Sequence, residues 1–454
     1  LIDADGDGVP DDSTFTTTRV ASGARLVENS DSDQDGPKRP KTWALFVQDK
    51  FEREGVIVNG GLRFDHINVS TQALRSEQYP LGEPGAQNDS LQNLLDTNDL
   101  VENRTYARLS PRIGVAFPVD EKTILRFNYG QFYQQPNLQD LYVSYRYLEY
   151  KVRAGGYYYG FGNPNLRPER TTAYEMGFQR QVGDNARLDV TAYYKDVKDL
   201  VQVANIPAGA GARTKNFASY RNRDFATIKG VDFGFTMRPV NHIAASMNYS
   251  LSFAQGTGSV SNTQGNIAWT ASQPPKQTSP LDFDQRHKVS MNLDWRLGKG
   301  EGLLLGNFRP LENAGINVLF NVASGTPYTP TQVFNEVTLA AVSNLPSGPL
   351  NSRYGPWTMN FDLKASRGFQ VGPFNLQAYA WVLNLFDNQN AIAVYSSSGS
   401  ATTTNWLTTN EGQGYLDTAA ARGVDGESLF NLAQNNPNLF SNPRLVRLGL
   451  RGSF

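Results

Sequence analysis

An all-β chain folded as an antiparallel transmembrane β-barrel is what this sequence predicts, and three observations predict it. The last ten residues, Leu445 to Phe454 (LVRLGLRGSF), alternate: Val446, Leu448, Leu450 and Phe454 fall on one face of a strand, Arg447, Arg451 and Ser453 on the other. The same period of two recurs along the chain in about 13 segments of roughly 9 to 13 residues, the length a tilted strand needs to cross a bilayer. Short turns alternate with long loops, as in barrels with tight periplasmic turns and long external loops. A soluble sandwich needs no such rhythm. So many polar strand faces would leave a dry core heavily unsatisfied, whereas a wet lumen accepts them.

Composition agrees with this and excludes several classes. The 454 residues exceed one ordinary soluble domain but suit part of a large barrel. A net charge of -1 gives no electrostatic case for nucleic acid. With no cysteine there is no disulfide scaffold and no cysteine-based metal or nucleophile chemistry. The three histidines, His66, His242 and His287, lie far apart and read as strand or loop residues rather than metal ligands. Mean hydropathy is -0.46, and no apolar run of about 20 residues forms a transmembrane helix. A barrel escapes that test because only alternate residues meet lipid. The 21 tyrosines and 25 phenylalanines are what aromatic girdles would require. The sequence opens on Leu1 without Met or signal peptide, and reads as processed or as a piece of something longer.

Residues 1–41 are polar and rich in turn formers, and are read as an acidic extracellular loop. Asp3, Asp5 and Asp7, and again Asp31, Asp33 and Asp35, are alternate aspartates followed by glycine, the arrangement that converges hard oxygen ligands on calcium. Neither has the distal Glu of an EF-hand. Asp11 and Asp12 are placed to complete the first set, whereas the second runs into Pro37-Lys38-Arg39. The competing reading is a solvated acidic loop.

From residue 42 to 454 the strands come in pairs. Thr42–Arg53 and Val56–Val69 are split by Glu54-Gly55, and Tyr106–Pro118 and Lys122–Tyr133 by Val119-Asp120-Glu121. In the latter strand Leu125, Phe127, Tyr129 and Tyr133 oppose Arg126, Asn128 and Gly130. A long loop carries Tyr142, Tyr145, Tyr147, Tyr150, Tyr157, Tyr158 and Tyr159. Ala173–Val182 and Arg187–Val197 follow, then Ile228–Arg238 and Ile243–Phe253, the second of these opposing Met247, Tyr249 and Leu251 to Ser246, Asn248 and Ser250. Lys288–Leu297, Gly315–Ala323, Thr358–Arg367 and Phe374–Asn384 lead to a loop of about 60 residues and the terminal strand.

Several motifs, in order, resemble the barrel of TonB-dependent outer-membrane receptors, with the Oar-like branch as a candidate. The most specific is Asn163-Pro164-Asn165-Leu166-Arg167-Pro168-Glu169 followed by Tyr174-Glu175-Met176-Gly177. Leu125 to Tyr133 running into Pro136 to Tyr142 matches, as do Lys229-Gly230-Val231-Asp232 and Phe283-Asp284-Gln285-Arg286-His287. Ser324-Gly325-Thr326-Pro327-Tyr328 and Asn384-Leu385-Phe386-Asp387 match too, so the resemblance covers about residues 42–454. These motifs are read as structural: Pro and Gly set strand ends and loop bends, and Glu169, Arg167 and Arg286 tie loops or lumen walls by ion pairs. No catalytic constellation is present, so the chain is read as a non-enzyme.

The resemblance implies a multi-pass barrel in the outer membrane of a Gram-negative bacterium. It implies TonB-energised uptake of a peptide, glycan or metal chelate. Family members carry a plug and 22 strands, and this chain has neither. Its first and last strands both follow long outer loops and run toward the periplasm. They therefore read as strands 10 to 22, with about nine strands and the plug supplied by an N-terminal segment of the same or a separate polypeptide. The implied partners are that segment, TonB-ExbB-ExbD through the plug, and lipid or lipopolysaccharide. For ligand contact the candidates are Tyr142, Tyr145, Tyr147, Tyr157, Tyr158 and Tyr159, since tyrosine offers area and a hydrogen bond at low entropic cost; the alternative is girdle or loop packing. The competing functions are a passive channel and a non-transporting adhesion or secretion barrel.

Overall fold

A computed structural model describes residues 38–83, 95, 97–154, 160–212, 214–263, 277–306, 308–337 and 345–453. One meandering antiparallel sheet dominates it, with thirteen strands hydrogen-bonded in sequence order. They are β1 (Lys41–Arg53), β2 (Val56–Asn68), β3 (Tyr106–Asp120), β4 (Thr123–Gln134) and β5 (Glu169–Val182). There follow β6 (Ala186–Ile206), β7 (Phe217–Val240), β8 (Ile243–Gly256), β9 (His287–Arg296) and β10 (Ala314–Ala323). The last are β11 (Thr358–Val371), β12 (Phe374–Leu383) and β13 (Leu445–Ser453). All thirteen expected strands are present. A short additional strand, Ser279–Pro280, pairs with the end of β8.

The register puts the polar set of each strand on one face. Ser246, Asn292, Asn248 and Ser290 meet across β8 and β9, and Ser290 meets Asn321, which meets Asn360 on β11. The opposite face is apolar and uncovered. Leu45, Val47, Ile113, Phe127, Met176, Leu293, Ile316 and Val446 all stand exposed, and Leu448 is 80% exposed. A soluble monomer does not leave so continuous an apolar surface in water; in a barrel it is the lipid face. Aromatic residues ring its outer end. Tyr129, Tyr174 and Tyr194 sit side by side on β4, β5 and β6, with ring centroids 5.2 and 6.3 Å apart. His287 stacks between Tyr249 and Trp357 at 6.1 and 5.6 Å.

Two features exceed the sequence reading. β6 and β7 run on past the other strands to Ile206 and from Phe217, forming a projecting tongue. At Lys198–Val201 the register shifts, with Asp199 in the left-handed region (φ 64°), a bulge that marks the base of the tongue. The outer loops also fold. Helix α1 (Tyr145–Ala154) packs Tyr145, Leu148 and Val152 against Leu81, Leu95, Leu100 and the tongue's Ile206 and Phe217. Helices α2 (Asn410–Ala421) and α3 (Gly426–Gln434) close around Trp406, Tyr415 and Phe430, whose rings lie 5.0 to 6.3 Å apart. Thr409 caps α2 and Asp425 caps α3 through side-chain oxygens that accept backbone N–H groups.

Candidate functional site: the lumenal wall and outer vestibule

The polar face of β6 to β13 curves around a trough of about 1300 Å³. Charges are held there mainly by near neighbours. Asp189 on β6 takes Arg187 at 2.7 Å and, from β4, Arg126 at 3.3 Å. Arg296 pairs with Asp294 at 2.6 Å, and the Asn317 amide donates to Asn292 Oδ1 at 2.7 Å. These groups keep water on one side, which lowers the cost of carrying charge inside a membrane sheet.

Toward β11–β13 the wall changes character. Lys364 lies over the rings of Tyr379 and Trp381 at 5.3 and 5.9 Å, and Arg447 over Trp381 at 5.5 Å. Among the described residues Lys288, Lys364 and Arg447 have no carboxylate partner, so this wall presents unneutralised cations beside aromatic faces. The sequence singles out neither Tyr379 nor Trp381, because the lumenal face of β12 (FNLQAYAWVL) turns from Asn375 and Gln377 to aromatic residues that read like a lipid face.

Above the trough, the motif residues anchor loops. Asp284 is buried and its carboxylate serves three donors: the Ala254 N–H at 2.9 Å, Arg286 Nε at 2.8 Å and the Tyr354 hydroxyl at 2.6 Å. Arg286 also lies over the Phe253 ring at 4.5 Å. Burial first, and then the bond to Asp284, hold the Tyr354 phenol above its ordinary pKa. Gly325 backs onto Gly355, where any Cβ would strike the Gly355 carbonyl. Asn384, in the left-handed region (φ 51°), takes Asp362 Oδ1 on its N–H and turns the chain into the loop.

The Asn163–Glu169 stretch pins the tongue's base. The Asn163 amide donates to the Tyr220 carbonyl at 3.0 Å, the Asn165 carbonyl accepts from the Tyr106 hydroxyl at 2.6 Å, and Arg167 pairs with Asp199 at the bulge at 2.7 Å. The expected ion-pair ties are therefore present for Arg167 and Arg286; Glu169 forms none among the described residues. Asp140, in the short helix Leu138–Leu141 that precedes α1, is buried, and that burial raises its carboxyl pKa.

The candidate tyrosines divide. The hydroxyls of Tyr142 and Tyr145 donate to the carbonyls of Val69 (2.9 Å) and Gln72 (2.5 Å), and Tyr145 is only 1% exposed. Tyr147 presents a partly exposed ring, with Phe161 at 5.9 Å and Lys151 at 5.3 Å. Tyr157, Tyr158 and Tyr159 lie outside the described residues, as do Asp3, Asp5, Asp7, Asp11, Asp31, Asp33 and Asp35.

Residues 5–385 match the family described as TonB dependent receptor-like, beta-barrel. The chain belongs to this family. As a TonB-dependent receptor barrel it takes its place among the outer-membrane proteins of Gram-negative bacteria. A stretch of 146 residues is 26% identical to heme/hemopexin utilization protein C of Haemophilus influenzae (strain 86-028NP), covering 30% of this chain and 21% of that protein. The fold is similar to a mutant of the ferric enterobactin receptor PfeA from Pseudomonas aeruginosa, with a TM-score of 0.51 at 14% identity over 91% of this chain and 45% of that one. It is also similar to the FrpB iron transporter from Neisseria meningitidis, with a TM-score of 0.47 at 12% identity over 83% and 45% of the two chains. The chain thus spans less than half the length of these relatives.

Proposed function

We propose that this chain supplies thirteen strands of a larger barrel that takes a ligand up across the outer membrane with energy from TonB, and that it is not an enzyme. The observation that carries the reading is the family match over residues 5–385. The hydrophilic wall with uncompensated Lys288, Lys364 and Arg447 supports a solute path on its inner side. About nine further strands, a plug and TonB-ExbB-ExbD complete the machine in this reading. The ligand is drawn from peptides, glycans and metal chelates; heme utilisation and ferric-chelate reception are what the relatives' names state of those proteins.

The Tyr-rich loop is the proposed contact surface. Tyr147, Tyr157, Tyr158 and Tyr159 would meet the ligand, and Tyr142 and Tyr145 would support the loop beneath them. Calcium at the aspartates of residues 1–41 is proposed as a stiffener of the adjoining loop, tested by equilibrium dialysis of calcium against the full-length protein.

The test of function compares solute depletion by cells with and without the full-length protein, in strains with and without TonB. Depletion that needs both supports the proposal. Flux that persists without TonB replaces it with a passive channel, and absence of any flux with an adhesion or secretion barrel.

A further inference from the structure

On the short-turn rim, most strands reverse within a couple of residues: Glu54-Gly55, Glu121-Lys122, Asn241-His242 and Gly372-Pro373. The β9–β10 connection, residues 297–313, is far longer, and it does not hang into the periplasm. Gly302 backs onto Leu297, where a Cβ would sit 3.0 Å from Leu297 Cδ1. Leu297 continues the outward series Leu293, Trp295 of β9. The segment therefore folds back over the lipid face.

What it covers is a misplaced charge. Arg367 on β11 pairs with Ala314 and Ala378, and the period of two sets it in line with Leu363, Ala365, Phe369 and Val371, all on the lipid face. Its guanidinium lies over the Phe308 ring at 5.0 Å, and its Nη2 donates to the Arg309 carbonyl at 3.3 Å. Its Nε is buried without a partner among the described residues. The segment is internally tied as well. Leu305 and Phe308 exchange backbone hydrogen bonds of 2.9 and 3.1 Å around a turn with Gly306 at φ 63°, and Arg309 Nη1 donates to the Gly302 carbonyl at 2.6 Å. That order leaves Leu303, Leu304, Leu305 and Phe308 each more than half exposed.

We propose that residues 297–306 and 308–313 form an anchor lying in the periplasmic leaflet. Leu303, Leu304, Leu305 and Phe308 enter the acyl region, and the anchor's backbone and the Phe308 ring shield Arg367 from hydrocarbon. The occupant is a phospholipid leaflet, because the exposed leucines stand on a segment held against the lipid face at Leu297 and Arg367, and a lipid-facing cation needs a cover. The proposal rests on the barrel fold and not on any ligand.

The 454 residues contain no cysteine, so a single labelling site can be introduced among them once any cysteine elsewhere in the full-length protein is replaced by serine. Full-length protein carrying Leu304→Cys with a nitrobenzoxadiazole label is placed in vesicles of phosphatidylcholine. The expected result is strong quenching when dibrominated acyl chains replace ordinary ones, comparable to a label at Leu293→Cys, with little quenching by aqueous iodide. Quenching by iodide and not by brominated lipid overturns the proposal, because the segment then faces water. Protection from both quenchers also overturns it, because protein then covers the leucines. If Leu304→Cys does not fold, Leu303→Cys gives the same reading.

Discussion

Replacing Asp284 by alanine removes one carboxylate that three donors share. The side chain is fully buried, and its loss strands the Ala254 N–H, the Arg286 guanidinium and the Tyr354 hydroxyl. Breaking a buried pair by deleting one partner costs about 3–5 kcal/mol. Arg286 keeps 26% of its side chain exposed, so water recovers part of its solvation and the lower end, about 3 kcal/mol, applies. Asp284→Asn should fall between, since an amide oxygen still accepts from Ala254 while the charge is gone. Tyr354→Phe removes one hydrogen bond to a charged group, about 1.5–3 kcal/mol before any relaxation. The assay is urea unfolding of the full-length protein in lipid vesicles, followed by tryptophan fluorescence. The expected result is a lower midpoint at unchanged slope, in the order Asp284→Ala, Asp284→Asn, Tyr354→Phe, wild type. An Asp284→Ala midpoint equal to wild type would refute the clamp. So would a Tyr354→Phe loss as large as that of Asp284→Ala, because the hydroxyl would then carry the clamp and not the carboxylate.

The same clamp predicts an alkaline weakness. The folded Tyr354 phenol has a raised pKa, so its contribution is complete below the unfolded value near 10 and is lost as pH rises through the folded value; Tyr354→Phe should remove that step from the urea midpoint measured against pH. Gly230→Ala should cost about 1–3 kcal/mol in the same unfolding assay, since its Cβ would strike the Leu251 carbonyl and the Tyr193 ring that lies over the glycine. Leu448→Arg on the lipid face should cost about 2–4 kcal/mol if its site is near mid-bilayer, while Asn321→Arg on the lumenal face should leave the midpoint nearly unchanged. Equal losses for the two arginines would invert the assignment of faces.

The strands were legible because a membrane barrel writes its two faces into alternate residues. Ser246, Asn248 and Ser250 against Met247, Tyr249 and Leu251 need no tertiary context to be sorted. The tongue was not legible for the opposite reason. Beyond Asp199 both faces of Leu200–Ile206 and Phe217–Tyr220 are covered by protein, and Val201, Val203, Ala204, Phe217 and Ala218 are all buried, so the polar alternation stops where the strand does not. The helices lay in segments read as loops because turn residues and polar side chains dominate them; α2 begins Asn-Glu-Gly-Gln-Gly. Arg167 and Arg286 make the ion pairs that their motifs predict, yet their partners, Asp199 and Asp284, are set by the fold. The predicted strand Thr358–Arg367 ends on Arg367, whereas β11 runs on to Val371 and keeps Arg367 within the apolar face.

The edges of the sheet bear on what surrounds this chain. β1 bonds only to β2 and β13 only to β12 among the described residues, so each offers a row of unpaired backbone groups. In hydrocarbon each such group costs several kcal/mol, and β1 alone is 13 residues long. Closing β1 directly onto β13 would not restore the antiparallel pattern. With thirteen strands in strict alternation the first and last run the same way, and their union would be a parallel seam. An odd number of intervening strands removes that seam and brings the total to an even number, as in bacterial single-chain barrels. The nine strands proposed above meet both conditions, whereas a passive channel built from the thirteen described strands alone meets neither.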